Sequence, residues 1–312
     1  MNTEELAEWL KPKLGGANVK HILNWGGFVN HSFHVADGPA KYHLKLTPTV
    51  NMNRFDSWLR THDVLESRYH APTLIDRMDF PEIGFSGLMF RHVDGTTADL
   101  CNQHDLLQTL IATADRLHHD DEIRSVLGTL SEPKTCFDYF VETYIDRFTS
   151  DLSAIGANLP PFISSSLFDW MQHETRALQS AASQRTSLHH PATEPVHGDL
   201  HEGNILVSES DWHILDWDDL TLGDAALDFA IVIWPIVYKA GRHWQEFMPS
   251  ADAAFSDRME ICFKAQLLDE VIDTLADYIE AETVPSNRTQ VQLMKKSQHE
   301  QALKRYRLKY GS

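Results

Sequence analysis

The residues best placed to do chemistry lie within 196–219: Val-His-Gly-Asp-Leu-His-Glu-Gly-Asn-Ile-Leu-Val, then Ser-Glu-Ser-Asp-Trp-His, then Ile-Leu-Asp-Trp-Asp-Asp. Asp199 and Asn204 stand five positions apart, ahead of two short apolar runs, and Asp216 closes the second run. A carboxylate, an amide oxygen and a second carboxylate in that order suit phosphoryl transfer. One acid orients an attacking hydroxyl, while the other two oxygens hold the Mg²⁺ that neutralises nucleotide phosphates.

These side chains need a scaffold that brings them together. Residues 205–207 and 213–215 read as strands, and the polar stretch 208–211 between them reads as a turn. A hairpin folds back on itself, so Asn204 at its start and Asp216 at its end reach the same edge. Two oxygen ligands there suit Mg²⁺, which prefers hard donors and takes its remaining ligands from water and phosphates. Gly198 and Gly203 fit a loop that turns sharply or passes close to a ligand. An ordinary hairpin with solvated acids is the plain alternative, since Asp and Asn are common turn residues. The presence of all the elements in order argues against it.

At these residues the chain resembles a known family. His197-Gly198-Asp199-Leu200-His201, then Gly203-Asn204, then Asp216-Trp217-Asp218, are similar to the signature of the aminoglycoside phosphotransferase and choline kinase superfamily. The likeness continues through Leu222-Gly223-Asp224 to Leu227-Asp228-Phe229-Ala230. Gly198, where protein kinases usually carry Arg, favours the small-molecule branch. The resemblance implies a bilobal, protein-kinase-like α+β fold, with a small β-rich N-lobe over 1–93 and a larger, mostly helical C-lobe over 94–312. It implies Asp199 as catalytic base, Asn204 and Asp216 as metal ligands, and Asp228 as a brace for the catalytic loop.

The first third reads as the nucleotide-binding lobe. Residues 19–24, 32–36 and 42–46 have strand character, and Gly26-Gly27-Phe28-Val29-Asn30-His31-Ser32 bridges the first two. A Gly-Gly turn lets backbone N–H groups lie over phosphates, which makes Gly27 and Ser32 candidate nucleotide contacts. By the resemblance, Lys45 on the third strand holds the α- and β-phosphates. Its acidic partner should come from the helix that Phe55, Trp58, Leu59, His62, Leu65 and Tyr69 predict over 54–69. Glu66 falls within the apolar stripe and Asp63 at its rim, and both remain open. The apolar run 87–90 leads into Arg91-His92-Val93-Asp94-Gly95, which resembles the hinge where main chain near Arg91 and Val93 meets the adenine edge.

The rest of the chain reads as helix. Residues 106–118 form one, and 131–190 carry a stripe of Phe137, Phe140, Val141, Tyr144 and Phe148 that suits a core better than a substrate box. Residues 229–238 read as a buried helix interrupted at Pro235, and 258–281 and 290–310 as closing helices. The pairs His118-His119 and His189-His190 are poor metal candidates, because consecutive side chains on a helix diverge.

Composition narrows the class. With 312 residues, 42% hydrophobic and 23% charged, the chain can bury two cores. Cys101, Cys136 and Cys262 are far apart, without metal or redox spacing, which fits a reducing cytoplasm. The N-terminus is acidic and leads into no apolar core, so no signal peptide is expected. The longest apolar stretch is too short to span a bilayer. A net charge of −18 argues against nucleic-acid binding. Six basic residues against Glu300 in 289–312 leave the remainder more acidic still, a field that favours neutral or amine-bearing substrates.

The expected activity is ATP- and Mg²⁺-dependent transfer of the γ-phosphate to a hydroxyl of a small molecule, with oligomeric state unspecified. A silent nucleotide-binding pseudokinase and a protein kinase are the rival readings. No Asp-Phe-Gly or Ala-Pro-Glu triplet is present to build an activation loop, which counts against protein substrates.

Overall fold

The computed structural model describes residues 3–22, 30–209, 211–248, 251–281 and 288–311. In chain order the elements begin with α1 (Thr3–Lys13), β1 (Asn18–Ile22), β2 (His31–Asp37), β3 (Ala40–Pro48) and α2 (Asp56–Tyr69). Next come β4 (Leu74–Phe80), β5 (Phe85–Arg91), β6 (Thr96–Thr97), α3 (His104–His118) and α4 (Asp121–Leu127). A π-helical turn over Val141–Asp146 joins α5 (Cys136–Phe140) to α6 (Arg147–Ala157), and α7 (Ser165–Ser183) follows. Strands β7 (Glu194–Val196), β8 (Ile205–Val207), β9 (Trp212–Ile214) and β10 (Thr221–Gly223) precede α8 (Ala225–Tyr238), α9 (Ala253–Glu280) and α10 (Arg288–Tyr310). The fold is α+β, with a β-rich N-terminal region and a mostly helical C-terminal part.

The chain forms two compact units. One comprises Met1–Asp99, Asp120–Leu130 and His197–Thr221; the other comprises Leu100–His119, Ser131–Val196 and Leu222–Ser312. A single cut after Val93 would separate the hairpin from strands β1–β5. Instead β6 pairs with β8, Ala98 N–H donates to Ile205 O at 2.9 Å, and Ile214 N–H donates to His70 O at 3.1 Å. Backbone pairing therefore draws the motif into the first unit. Helix α4 joins that unit through its N-cap Asp120, which accepts from Tyr69 Oη at 2.7 Å.

The first unit is built on an antiparallel sheet of order β1-β2-β3-β5-β4. Side chains alternate across a strand, and the register sorts the two faces. Phe33 pairs with Leu44 and Val35 with Tyr42, and this face packs on Leu6 and Leu10 of α1. Ser32 pairs with Lys45 and His34 with His43 on the opposite face. Helix α2 lies against the sheet through Trp58, whose ring stacks on Phe90 with centroids 4.4 Å apart. Its predicted stripe is buried at Trp58, Leu65 and Tyr69, while residues 54 and 55 belong to a preceding 3₁₀ turn. Strand β4 had no counterpart in the sequence reading. It is an edge strand in which Ile75, Asp76, Arg77 and Asp79 are exposed, so its pattern carries no clean alternation.

In the second unit, α8 packs on α3 and α9, and α10 and α6 cover α9. The predicted stripe places Phe140, Tyr144 and Phe148 in this core. Helix α8 corrects the expectation of an interruption at Pro235. It starts at Ala225, runs through Pro235 and ends at Tyr238, with Lys239 N–H donating to Pro235 O at 2.8 Å. Proline removes only its own N–H from the ladder, and the turn after it still closes on its carbonyl. Among the described residues no helix is long and apolar enough to cross a membrane.

Candidate active site

The loop between β7 and β8 carries Asp199, and its shape follows from Gly198 and His197. Gly198 adopts φ +86°, and a Cβ there would sit 2.9 Å from Asp219 O, so only glycine fits this position. His197 is fully buried. Its Nε2–H donates to Leu215 O at 3.0 Å, and its Nδ1 accepts from Asp199 N–H at 3.2 Å. One imidazole therefore ties the Asp199 backbone to the end of the hairpin. Sequence reading saw His197 only as part of a motif.

Asn204 faces the same loop. Its Nδ2 donates to Asp199 O at 2.9 Å and to Asp199 Oδ2 at 3.0 Å. With the amide nitrogen engaged, Oδ1 is the atom left to coordinate. Ile205 pairs with Ile214, and Leu215 N–H donates to Asn204 O at 2.8 Å, so the hairpin brings Asn204 and Asp216 to one end as expected. Asp216 has φ 58° and ψ 61°, a left-handed backbone that is uncommon for residues other than glycine and recurs at functional sites.

Lys45 reaches this end from β3. Its Nζ lies 2.7 Å from Asp216 Oδ1 and 2.5 Å from Asp218 Oδ2. The rings of Phe55 and Trp58 stand 5.9 and 6.0 Å from the ammonium. Neither helix acid supplies its partner. Glu66 Oε1 accepts from Thr73 Oγ1 at 2.7 Å, and Asp63 is exposed beside His62. Asp218 was visible in the sequence as an acid near the motif, but nothing local marked it as the partner of a lysine on β3. Asn30, just before β2, also donates through Nδ2 to Asp218 Oδ2 at 2.9 Å.

Electrostatics separates these acids. Burial alone would raise the Asp199 carboxyl, but His201, His197 and the Asn204 hydrogen bond together outweigh it and hold Asp199 at about 2. Burial likewise opposes ionisation of Asp216, and the Lys45 ammonium more than offsets it, leaving Asp216 below the ordinary carboxylate range. Asp218 is pushed up to about 6 by burial, with Lys45 opposing. Burial would lower Lys45, yet Asp216 and Asp218 together raise it.

The remaining sequence candidates are distributed around this centre. Ser32 is buried on β2 directly across from Lys45. Arg91 N–H is committed to Thr73 O at 2.9 Å and His92 N–H to Lys41 O at 3.1 Å. Val93 follows on the same connection, past the end of β5. Gly27 lies outside the described residues. Asp228 is fully buried, and His118 Nε2 is 3.1 Å from its Oδ2. Neither histidine pair gathers ligands: His119 is exposed, and His190 lies against Cys136 Sγ at 3.6 Å. Among the described residues no three His, Cys, Asp or Glu side chains converge to hold a metal. The Asn204 and Asp216 oxygens instead suit an ion that takes most of its ligands from water and phosphate, as Mg²⁺ does.

Over most of its length the chain matches the solved structure of APH(2")-IIia with GDP and kanamycin, at TM-score 0.60 and 11% identity, covering 94% of this chain and 98% of that one. It is similar to spectinomycin phosphotransferase APH(9)-Ia with ADP and spectinomycin, at TM-score 0.59 and 14% identity, covering 97% of each. It is similar also to a putative aminoglycoside phosphotransferase from Ralstonia eutropha, at TM-score 0.58 and 14% identity, covering 98% of each. No curated protein sequence matches the chain. At these identities the structural likeness establishes the kinase-like fold. The profile of the phosphotransferase enzyme family (APH) matches residues 21–258, more than half of the sequence, and the chain belongs to that family.

Proposed function

We propose that this protein transfers the γ-phosphate of ATP to a hydroxyl of a small molecule. The observation that carries the reading is the meeting of Lys45, Asp216, Asn204 and Asp199 within one unit, drawn from strands far apart in sequence. Asp199 is the acid that orients the hydroxyl and accepts its proton. Asn204 holds it from one side, and His201 favours its ionised form. Asn204 Oδ1 and Asp216 would hold Mg²⁺, which when bound neutralises phosphate charge. Lys45 supplies the second cation for the phosphates, with Ser32 beside it. Main chain near Arg91 and Val93 would receive the base; since the Arg91 amide is engaged, its contribution would come through the carbonyl.

For the acceptor, a neutral or amine-bearing alcohol fits best. The chain's net charge of −18 leaves an acidic surface. Such a surface favours cations. The relatives solved with kanamycin and spectinomycin are consistent with this class. The test is a coupled assay with Mg-ATP and Mg-GTP over amino alcohols, aminoglycosides, macrolides, sugars and hydroxy acids, with phosphate incorporation into proteins measured in parallel. Turnover on an alcohol supports the reading. Phosphorylation of proteins alone, or nucleotide binding without turnover on any acceptor, would replace it with a protein kinase or a pseudokinase. A hydroxy acid as the best acceptor would overturn the charge argument.

A further inference from the structure

We propose that Asp218 is the positioning residue for Lys45, so that the phosphate-holding ammonium is fixed from the end of the β8–β9 hairpin and not from α2. The inference rests on the reading of Lys45 as a phosphate contact.

Two carboxylates touch Lys45, and they differ in kind. The Lys45 side chain is 9% exposed and that of Asp218 is 5% exposed, whereas that of Asp216 is 45% exposed. A charge removed from water needs a compensating charge that stays in place. Asp216 is open to solvent and is the proposed metal ligand, so its oxygens would be divided between Lys45 and the ion. Asp218 has no such second duty. Its Oδ2 is already fixed by Asn30 Nδ2 at 2.9 Å, which orients the carboxylate toward β3.

The helix offers no substitute. What the α2 region presents to the ammonium is aromatic, namely Phe55 and Trp58. Glu66 is bonded to Thr73, and the Asp63 side chain is 92% exposed. Aromatic rings exclude water from Lys45 and strengthen its attraction to Asp218. They cannot neutralise it.

The experiment uses the full chain and Mg-ATP as probe, read by calorimetry, with amine-reactive labelling of Lys45 in the nucleotide-free protein followed by mass spectrometry. Asp218→Asn should weaken Mg-ATP binding by roughly ten- to hundredfold, the worth of a hydrogen bond to a charged group. It should also speed labelling of Lys45. Asp218→Glu should restore part of both, and Glu66→Gln should change neither. In a Lys45→Met background, Asp218→Asn should add no more than about twofold, because its effect acts through the lysine. Wild-type affinity and labelling in Asp218→Asn, or an undiminished loss in the Lys45→Met background, would overturn the proposal. So would weakened binding in Glu66→Gln. If Asp218→Asn does not fold, Asp218→Glu carries the test: it should weaken Mg-ATP binding and speed Lys45 labelling to a smaller degree, and wild-type values of both would overturn the proposal. A wild-type protein that binds no Mg-nucleotide would remove the functional reading, and this inference with it. Wild-type binding that depends on Lys45 but not on Asp218 would remove the inference alone.

Discussion

Two buried cation–carboxylate arrangements, one in each unit, look alike on paper and behave differently. In the first unit Lys45 bridges Asp216 and Asp218, and Asp216 remains half exposed and held ionised by the lysine. In the second, Arg258 Nε contacts both oxygens of Asp224 at 3.1 and 3.0 Å, with both side chains under a tenth exposed. Burial raises the Asp224 carboxyl in spite of Arg258. Asp224 also caps α8 by accepting from Ala226 N–H at 3.0 Å. A carboxylate that stays charged and reaches solvent can exchange a lysine for a metal ion. One sealed against an arginine can only hold its helix in place.

The largest test of this contrast lies in the first unit. Asp199→Ala should slow phosphate transfer by about 10²–10⁴-fold while the melting temperature and nucleotide affinity stay near wild type. Turnover equal to wild type on the true acceptor would show that Asp199 is not the base. The second test lies in the other unit, where the effect should fall on stability. Asp224→Ala leaves Arg258 buried without its carboxylate and removes a cap, which should cost about 3–5 kcal/mol in urea denaturation. An Asp224→Ala protein of wild-type stability would break the comparison.

Next in size is Asp216→Asn. Losing a ligand should cost at least as much as losing an outer partner of one, so Mg²⁺ should enhance ATP binding at least roughly tenfold less than in wild type. Calorimetry with and without Mg²⁺ reads this, and equal enhancement would make Asp216 structural. The smallest effect is expected at Asp63→Asn. That exposed acid should change stability by no more than about 0.5 kcal/mol, and activity not measurably. A clear loss of nucleotide affinity there would restore a helix acid to the site.

What could be read from the chain was local. The hairpin was legible because apolar runs flank a polar turn, and a chain that folds back on itself brings its start and its end together. Helix α2 was legible because Trp58, Leu65 and Tyr69 recur at helical spacing. Strand β4 was not, since an edge strand with exposed charges lacks the alternation that marks a half-buried one. Pro235 misled, because a proline removes one N–H without stopping the following turn from closing on its carbonyl.

The sequence by itself determined the chemistry on offer: the types and spacing of Asp199, Asn204 and Asp216, and the strand that carries Lys45. Those features are local, set by side-chain identity and backbone periodicity over a few residues. Tertiary structure alone decided that Lys45 meets Asp218 and that Glu66 turns to Thr73. It also decided that the His197 imidazole bridges the Asp199 amide and the Leu215 carbonyl. A lysine on β3 has several acids within plausible reach of its sequence pattern. Which one it pairs with depends on packing, on which carboxylate loses its water, and on what else that carboxylate is already bonded to. None of these is a property of any short stretch of chain.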